Sequence, residues 1–192
     1  MTKTGWIVTG IAGFLFVFLI MPGCVAYQSY NRLVVLNESV DSSWAQVENV
    51  MQRRYDLIPN LVNTVKGYAK HEKEVLEEVT RMRSQWGAAQ TPGAKLNASQ
   101  GLEGAISRLL VVAEQYPNLK ADENFLRLQD ELSGTENRIA VERMRYNDMV
   151  KSYNIQMRSF PSNIVAGMFH FTKKDAYFEA VPTAKEAPKV QF

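Results

Sequence analysis

Apolar side chains follow two patterns along this chain. From Gly5 to Tyr27, in GWIVTGIAGFLFVFLIMPGCVAY, they run almost without interruption; from Leu33 onward they recur in steps of three and four. The first pattern has the length of a bilayer-spanning helix, since a hydrocarbon core about 30 Å thick takes about 20 apolar residues. No formal charge falls between Lys3 and Arg32, and Trp6, Tyr27 and Tyr30 sit where aromatic rings favour the headgroup zone. The second pattern is that of amphipathic helices.

Leu33, Leu36, Val40, Trp44, Val47, Met51, Tyr55 and Ile58 share one helical face, and the stripe resumes at Leu61, Val65, Tyr68, Val75, Val79, Met82 and Trp86. Pro59 lacks an N–H and disfavours helix at Ile58, which predicts two helices meeting there or one long helix kinked there. Proline in the first turn of a second helix is the less costly arrangement. Residues Gly87 to Gly93 have no apolar period and read as a loop. A third helix is predicted over about Asn97 to Gln115, capped by Asn97 or Ser99 and ended by Tyr116-Pro117-Asn118. The fourth, about Ala121 to Ser159, carries Phe125, Leu128, Leu132, Thr135, Ile139, Tyr146, Met149, Tyr153 and Met157 in a coiled-coil-like stripe. Phe160-Pro161 stops it. No strand pattern of period two emerges. The predicted fold class is all-α, an N-terminal transmembrane helix followed by an elongated antiparallel bundle of long helices. Residues 1–28 form the signal anchor, 29–165 the bundle, and 166–192 an apolar return segment and flexible tail that includes Tyr177 and Phe178.

Three fates compete for the apolar N-terminus: an uncleaved anchor, a cleaved secretory peptide, and a lipoprotein signal. No small-x-small site follows the run, which weighs against soluble release. Gly23 before Cys24 fits a lipid-attachment box, but Met21 and Pro22 fit it poorly, and the anchor is preferred. Cys24, the lone cysteine, is then a small apolar residue at the membrane exit. Lys3 and the amino terminus against Arg32 tilt the N-terminus inward and the body outside the cytoplasm, with the membrane crossed once. The 22 Lys+Arg against 20 Asp+Glu leave no concentrated basic face, so no nucleic acid is expected as partner.

Chemistry-bearing constellations are sparse. His71 lacks a second histidine at i+4, since position 75 is valine, and no Glu-x-x-His precedes it, since position 68 is tyrosine. With no phosphate loop or activated nucleophile, the sequence predicts neither an enzyme nor a metal site, cofactor or small-molecule substrate. Arg53, Arg54, Asp56, Asn60, Asn63, Asn137, Arg138 and Asn147 lie in or beside apolar stripes. They read as an inter-helix polar network near Pro59, with Asp56 accepting from an arginine, in preference to a recognition surface.

Longer blocks are more specific. Tyr30-Asn31-Arg32-Leu33-Val34, Asn37-Glu38-Ser39-Val40, Gln52 to Val62 as QRRYDLIPNLV, Tyr116 to Ala121 as YPNLKA, Glu136 to Ala140 as ENRIA and Phe160 to Gly167 as FPSNIVAG occur in this order. On these blocks, with Trp44, Arg145-Tyr146-Asn147 and Tyr153-Asn154, the chain resembles the LemA family of bacterial membrane-anchored proteins from Tyr27 to about Ala180. The resemblance implies an N-terminal span and a helical body, and assigns no chemistry.

Two function classes follow, both using membrane lipid through the span. One is a non-catalytic scaffold or adaptor of the cell envelope, joined to an unknown envelope protein or to its own copies. The other is a regulator of an integral membrane protease or transport component. Leu126, Val141 and Ile155, off the main stripe of the fourth helix, mark a face left for a partner. For Asn163 to Phe171, apolar and rich in aromatics, closing the bundle end is preferred over docking to a partner or the bilayer surface.

Overall fold

A computed structural model describes residues 10, 13–14 and 16–178 of the chain. After a π-helical turn, Phe16–Ile20, the described residues form α1 (Met21–Tyr68), α2 (Lys73–Ala88), α3 (Pro92–Ala113), α4 (Pro117–Lys120), α5 (Glu123–Arg158) and α6 (Ser162–Met168). No strand occurs among them. The fold is all-α.

Pro59 lies inside α1, which continues through it. Proline in a helix interior costs about 3 kcal/mol. Ile58, Leu61 and Val65 are each at most 1% exposed, and burying a side chain of that size stabilises by about 1.5–3 kcal/mol. Burial outweighs the lost bond, and one helix forms instead of two. The chain turns instead at Ala69–Glu72, where the apolar periodicity predicts continued helix. The stripe has a gap between Tyr68 and Val75, filled by Lys70, His71, Glu72, Lys73 and Glu74. Those charges have no core to face, so the helix ends there.

Helix α3 begins at Pro92, earlier than the expected Asn97. Thr91 is its cap and accepts from the Ala94 N–H at 3.2 Å, with Pro92 at the first helical position. Ser99, one of the expected caps, is buried and donates to the Leu96 carbonyl. Asp122 caps α5 by accepting from the Phe125 N–H at 2.9 Å.

The chain divides into two compact units, each discontinuous in sequence. One comprises Ser43–Asn147 with Ala176–Phe192. In it α1 and α5 run antiparallel: Trp44 meets Tyr146, Arg54 meets Glu136 ten residues back, and Tyr68 meets Asp122 fourteen further back. Helices α2 and α3 form a hairpin in which Glu78 pairs with Arg108. A Cβ at Gly101 would stand 3.0 Å from Met82 Sδ, so glycine there allows the two helices to approach. The core draws on all four helices, with Val47 and Leu61 of α1, Val79 of α2, Leu109 of α3 and Ile139 of α5 at most 1% exposed.

The other unit comprises Met1–Ser42 with Asp148–Asp175. Leu33 and Val40 of α1, Val150 and Tyr153 of α5, and Val165 and Ala166 of α6 are buried in it. After α6 the chain is irregular. The Tyr153 hydroxyl donates to the Thr172 carbonyl at 2.9 Å. Asn154 donates to the Lys174 carbonyl at 2.7 Å and accepts from the Lys174 N–H at 3.1 Å. A primary amide used this way substitutes for a neighbouring backbone, holding a segment that has no helix of its own.

Among the described residues no helix is long and apolar enough to cross a membrane. The predicted span, 1–28, lies partly outside those residues. The expectation that Tyr177 and Phe178 belong to a flexible tail is corrected for Phe178. Asn147 holds it by the same two-way amide pairing, at 2.9 and 3.0 Å, and its ring contacts Trp44 and Tyr146. The rest of the expected tail, 179–192, is outside the described residues.

Candidate functional site

The polar centre of the four-helix unit forms where ionisable residues share the core-facing stripes. Helix α1 presents Arg54 between Met51 and Tyr55, α3 presents Glu103 beside Leu102, and α5 presents Glu136 and Arg143 on either side of Ile139. Arg54 donates to Glu136, and Arg143 to Glu103. Two guanidiniums thus oppose two carboxylates, tying α5 to α1 and to α3. Burial pushes the Arg54 guanidinium below its ordinary value, with Glu103 opposing and Arg143 reinforcing that shift.

Arg54 Nε and Arg143 Nε are buried with no hydrogen-bond partner among the described residues. Both arginines line a small cavity of about 20 Å³ together with Tyr55, Trp86, Ser99 and Ile106. That is room for about one water, the usual partner of such orphaned donors. Around it, Tyr55 packs on Trp86 with ring centroids 4.2 Å apart and its hydroxyl accepts from the Gly87 N–H at 3.0 Å. Arg83 lies over the Tyr55 ring, and Lys95, ion-paired to Glu48, lies over Trp86. Burial chiefly raises the Tyr55 hydroxyl above its ordinary value, with the Gly87 N–H and Arg83 opposing.

Of the residues expected in an inter-helix network, Arg54 and Asn147 contact other elements: Arg54 through Glu136, Asn147 through Phe178. Asp56 does not accept from an arginine. It is exposed and accepts from Gln52 on its own helix at 2.8 Å, because its position points away from the α1 stripe. Arg53, Asn60, Asn137 and Arg138 are likewise exposed. The carboxylates that complete the centre, Glu103 and Glu136, went unrecognised in the sequence, as did Arg143. Their signal is that each lies next to, or one helical turn from, a core position: Glu103 after Leu102, Glu136 after Thr135, Arg143 four after Ile139.

Fixed charge pairs of this kind set helix register. Both histidines are exposed, His71 in the turn after α1 and His170 just past α6. Among the described residues no three of His, Cys, Asp or Glu stand where they could hold a metal ion. Cys24 is exposed and unpaired by any disulfide. On the outer surface, Leu126, Val141, Met144 and Ile155 of α5 are 42–60% exposed. Leu126 and Met144 are eighteen residues apart, five full helical turns, and so share one face.

Comparison with known proteins places these helices in a family. Residues 43–192 match the LemA family. The chain belongs to the LemA family. Protein LemA of Metamycoplasma hominis is 27% identical over 191 residues, covering 95% of this chain and 84% of that protein. Magnetosome protein MamQ 2 of Paramagnetospirillum magneticum is 27% identical over 179 residues, and magnetosome protein MamQ of Magnetospirillum gryphiswaldense 26%. Each of these two matches covers 80% of this chain, and the chain spans only 65% of the length of those magnetosome proteins. The LemA match begins at Ser43 and so includes every residue of the charged centre and the α5 outer face.

Proposed function

We propose that this LemA-family chain is a non-catalytic scaffold or adaptor of the bacterial cell envelope, inserted in the inner membrane through its apolar N-terminus. The observation that carries this reading is the exposure of the N-terminal apolar residues. Phe14, Phe16, Val17, Ile20, Met21 and Tyr27 are each 50–71% exposed. A run of this kind in water would be a large apolar patch. In a bilayer its side chains meet hydrocarbon, and about 22 residues from Trp6 to Tyr27 are enough to span. The body, placed outside the cytoplasm by the slight charge bias, offers the α5 outer face to a protein partner.

A photo-crosslinking residue in place of Met144, activated in intact cells, tests the adaptor role. A crosslinked second protein in fixed proportion supports an adaptor, and its identity shows whether it is a membrane protease or transport component. A ladder of this chain alone supports a self-assembling scaffold. No product at Met144, Leu126 or Val141 overturns the use of this face. The mass of the purified chain separates an intact anchor from one cleaved and lipidated at Cys24.

A further inference from the structure

Helix α6 has apolar residues on both sides. Val165 and Ala166 face the interior of their unit, each 4% exposed. On the outside, Phe160 just before the helix is 81% exposed, Ile164 54%, Met168 69% and Phe169 56%. Ile164 and Met168, four residues apart, share one face of α6, and Phe160 lies exposed just ahead of it. Of the four exposed positions of this seven-residue helix, Asn163, Ile164, Gly167 and Met168, two carry large apolar side chains and none carries a charge.

The position of α6 in its unit indicates what covers that face. The Phe169 ring lies 4.7 Å from the Tyr30 ring, and Phe171 lies 5.8 Å from it. Tyr30 is three residues past Tyr27, where the apolar run ends, about 4.5 Å along α1 at 1.5 Å per residue. The headgroup zone on each side of a bilayer is about 5–8 Å deep, half the difference between its 40–45 Å total thickness and its 30 Å core. With Tyr27 at the edge of the hydrocarbon, Phe169 is held at headgroup depth. The rest of α6, about 10 Å long, has little room to leave the surface.

We propose that α6 is a second, interfacial membrane contact. Its outer face of Phe160, Ile164, Met168 and Phe169 rests in the boundary between headgroups and acyl chains, beside the exit of the span. The proposal rests on the insertion of the N-terminus described above. The lipid surface is the occupant because Phe169 packs on Tyr30, about one helical turn past Tyr27, where the exposed apolar run of α1 ends. A short apolar helix in that plane would fix the tilt and rotation of the body, which a single span leaves free.

The test uses the full chain in a Cys24→Ser background, reconstituted in phosphatidylcholine–phosphatidylglycerol vesicles. Nitroxide labels are placed one at a time at Val17→Cys, Ile164→Cys, Met168→Cys and Ser133→Cys, with circular dichroism checking that each variant folds. Collision rates with oxygen, which concentrates in lipid, are compared with those of a water-soluble nickel complex. Labels at 17, 164 and 168 are expected to favour oxygen several-fold, and the label at 133 to favour nickel. Labels at 164 and 168 that match 133 while 17 stays in lipid overturn the α6 contact and leave the anchor intact. A label at 17 that also favours nickel overturns the anchor, and the α6 contact with it. Spin–spin broadening at 168 in vesicles with a large excess of lipid assigns the face to a second copy of the chain and overturns the lipid assignment.

Discussion

Removing Glu103 tests the charged centre directly. Its carboxylate pairs with Arg143 and offsets the effect of burial on the Arg54 guanidinium, so Glu103→Ala leaves Arg143 without its carboxylate and Arg54 less compensated. Breaking a fully buried pair costs about 3–5 kcal/mol, and an exposed pair about 0–1. The Arg143 and Glu103 side chains are 21% and 25% exposed, which places the expected cost between those limits, near 2 kcal/mol. For a chain of 192 residues that lowers Tm by about 4–8 °C. Thermal unfolding followed by far-ultraviolet circular dichroism, on the full chain in detergent, reads this. The comparison is Glu114→Ala, which removes a pair with Lys120 whose side chains are 57% and 58% exposed, and is expected to change little. Replacing both partners, Glu103→Leu with Arg143→Met, is expected to recover much of the loss, because no unpaired charge remains. If Glu103→Ala melts with Glu114→Ala, or the double variant is worse than either single one, the centre does not hold the helices in register.

Other outcomes follow from the same contacts. Asn154→Ala removes both bonds to the Lys174 backbone, a loss of about 2 kcal/mol, and hydrogen exchange at Lys174 is expected to rise well before global unfolding. Tyr55→Phe keeps the ring on Trp86 but loses the bond from Gly87, lowering stability by about 1 kcal/mol in a denaturant titration. The folded Tyr55 and Tyr153 hydroxyls are held above their ordinary value, mainly by burial. The unfolded chain therefore releases those protons first, and stability falls as pH rises from about 10 through the folded values. The Asp122 carboxyl is held below its ordinary value, first by the Phe125 N–H and then by the Tyr68 hydroxyl. Its contribution is present above the ordinary carboxylate range and is lost as pH falls through the lower folded value; Asp122→Asn is expected to flatten that acid limb.

The helical body was readable because burial follows the stripes. Leu33, Leu36, Val40, Val47, Met51, Tyr55 and Ile58 are all buried, and Trp44, which completes their run of steps of three and four, is half-buried. Capping was less legible, since Thr91-Pro92 lies inside what composition marks as loop. The turn at Ala69–Glu72 carries no proline, and only the break in the stripe gives it away. Polar partners were the hardest to read. Asp56 and Glu136 each lie near an arginine in sequence, and only helix packing decides that the second receives Arg54. The retention of Phe178 by Asn147, 31 residues away, depends on a long-range amide pairing that no local pattern encodes. Leu126, Val141 and Ile155, off the α5 stripe, are exposed as their spacing predicts.

Membrane insertion is the claim on which the scaffold and the α6 contact both depend. Alkaline carbonate extraction of membranes from cells expressing the full chain tests it most directly, beside a Phe16→Asp, Ile20→Asp variant. The account predicts that the unmodified chain stays with the lipid pellet and that the charged variant is released. Release of the unmodified chain into the carbonate supernatant would contradict it.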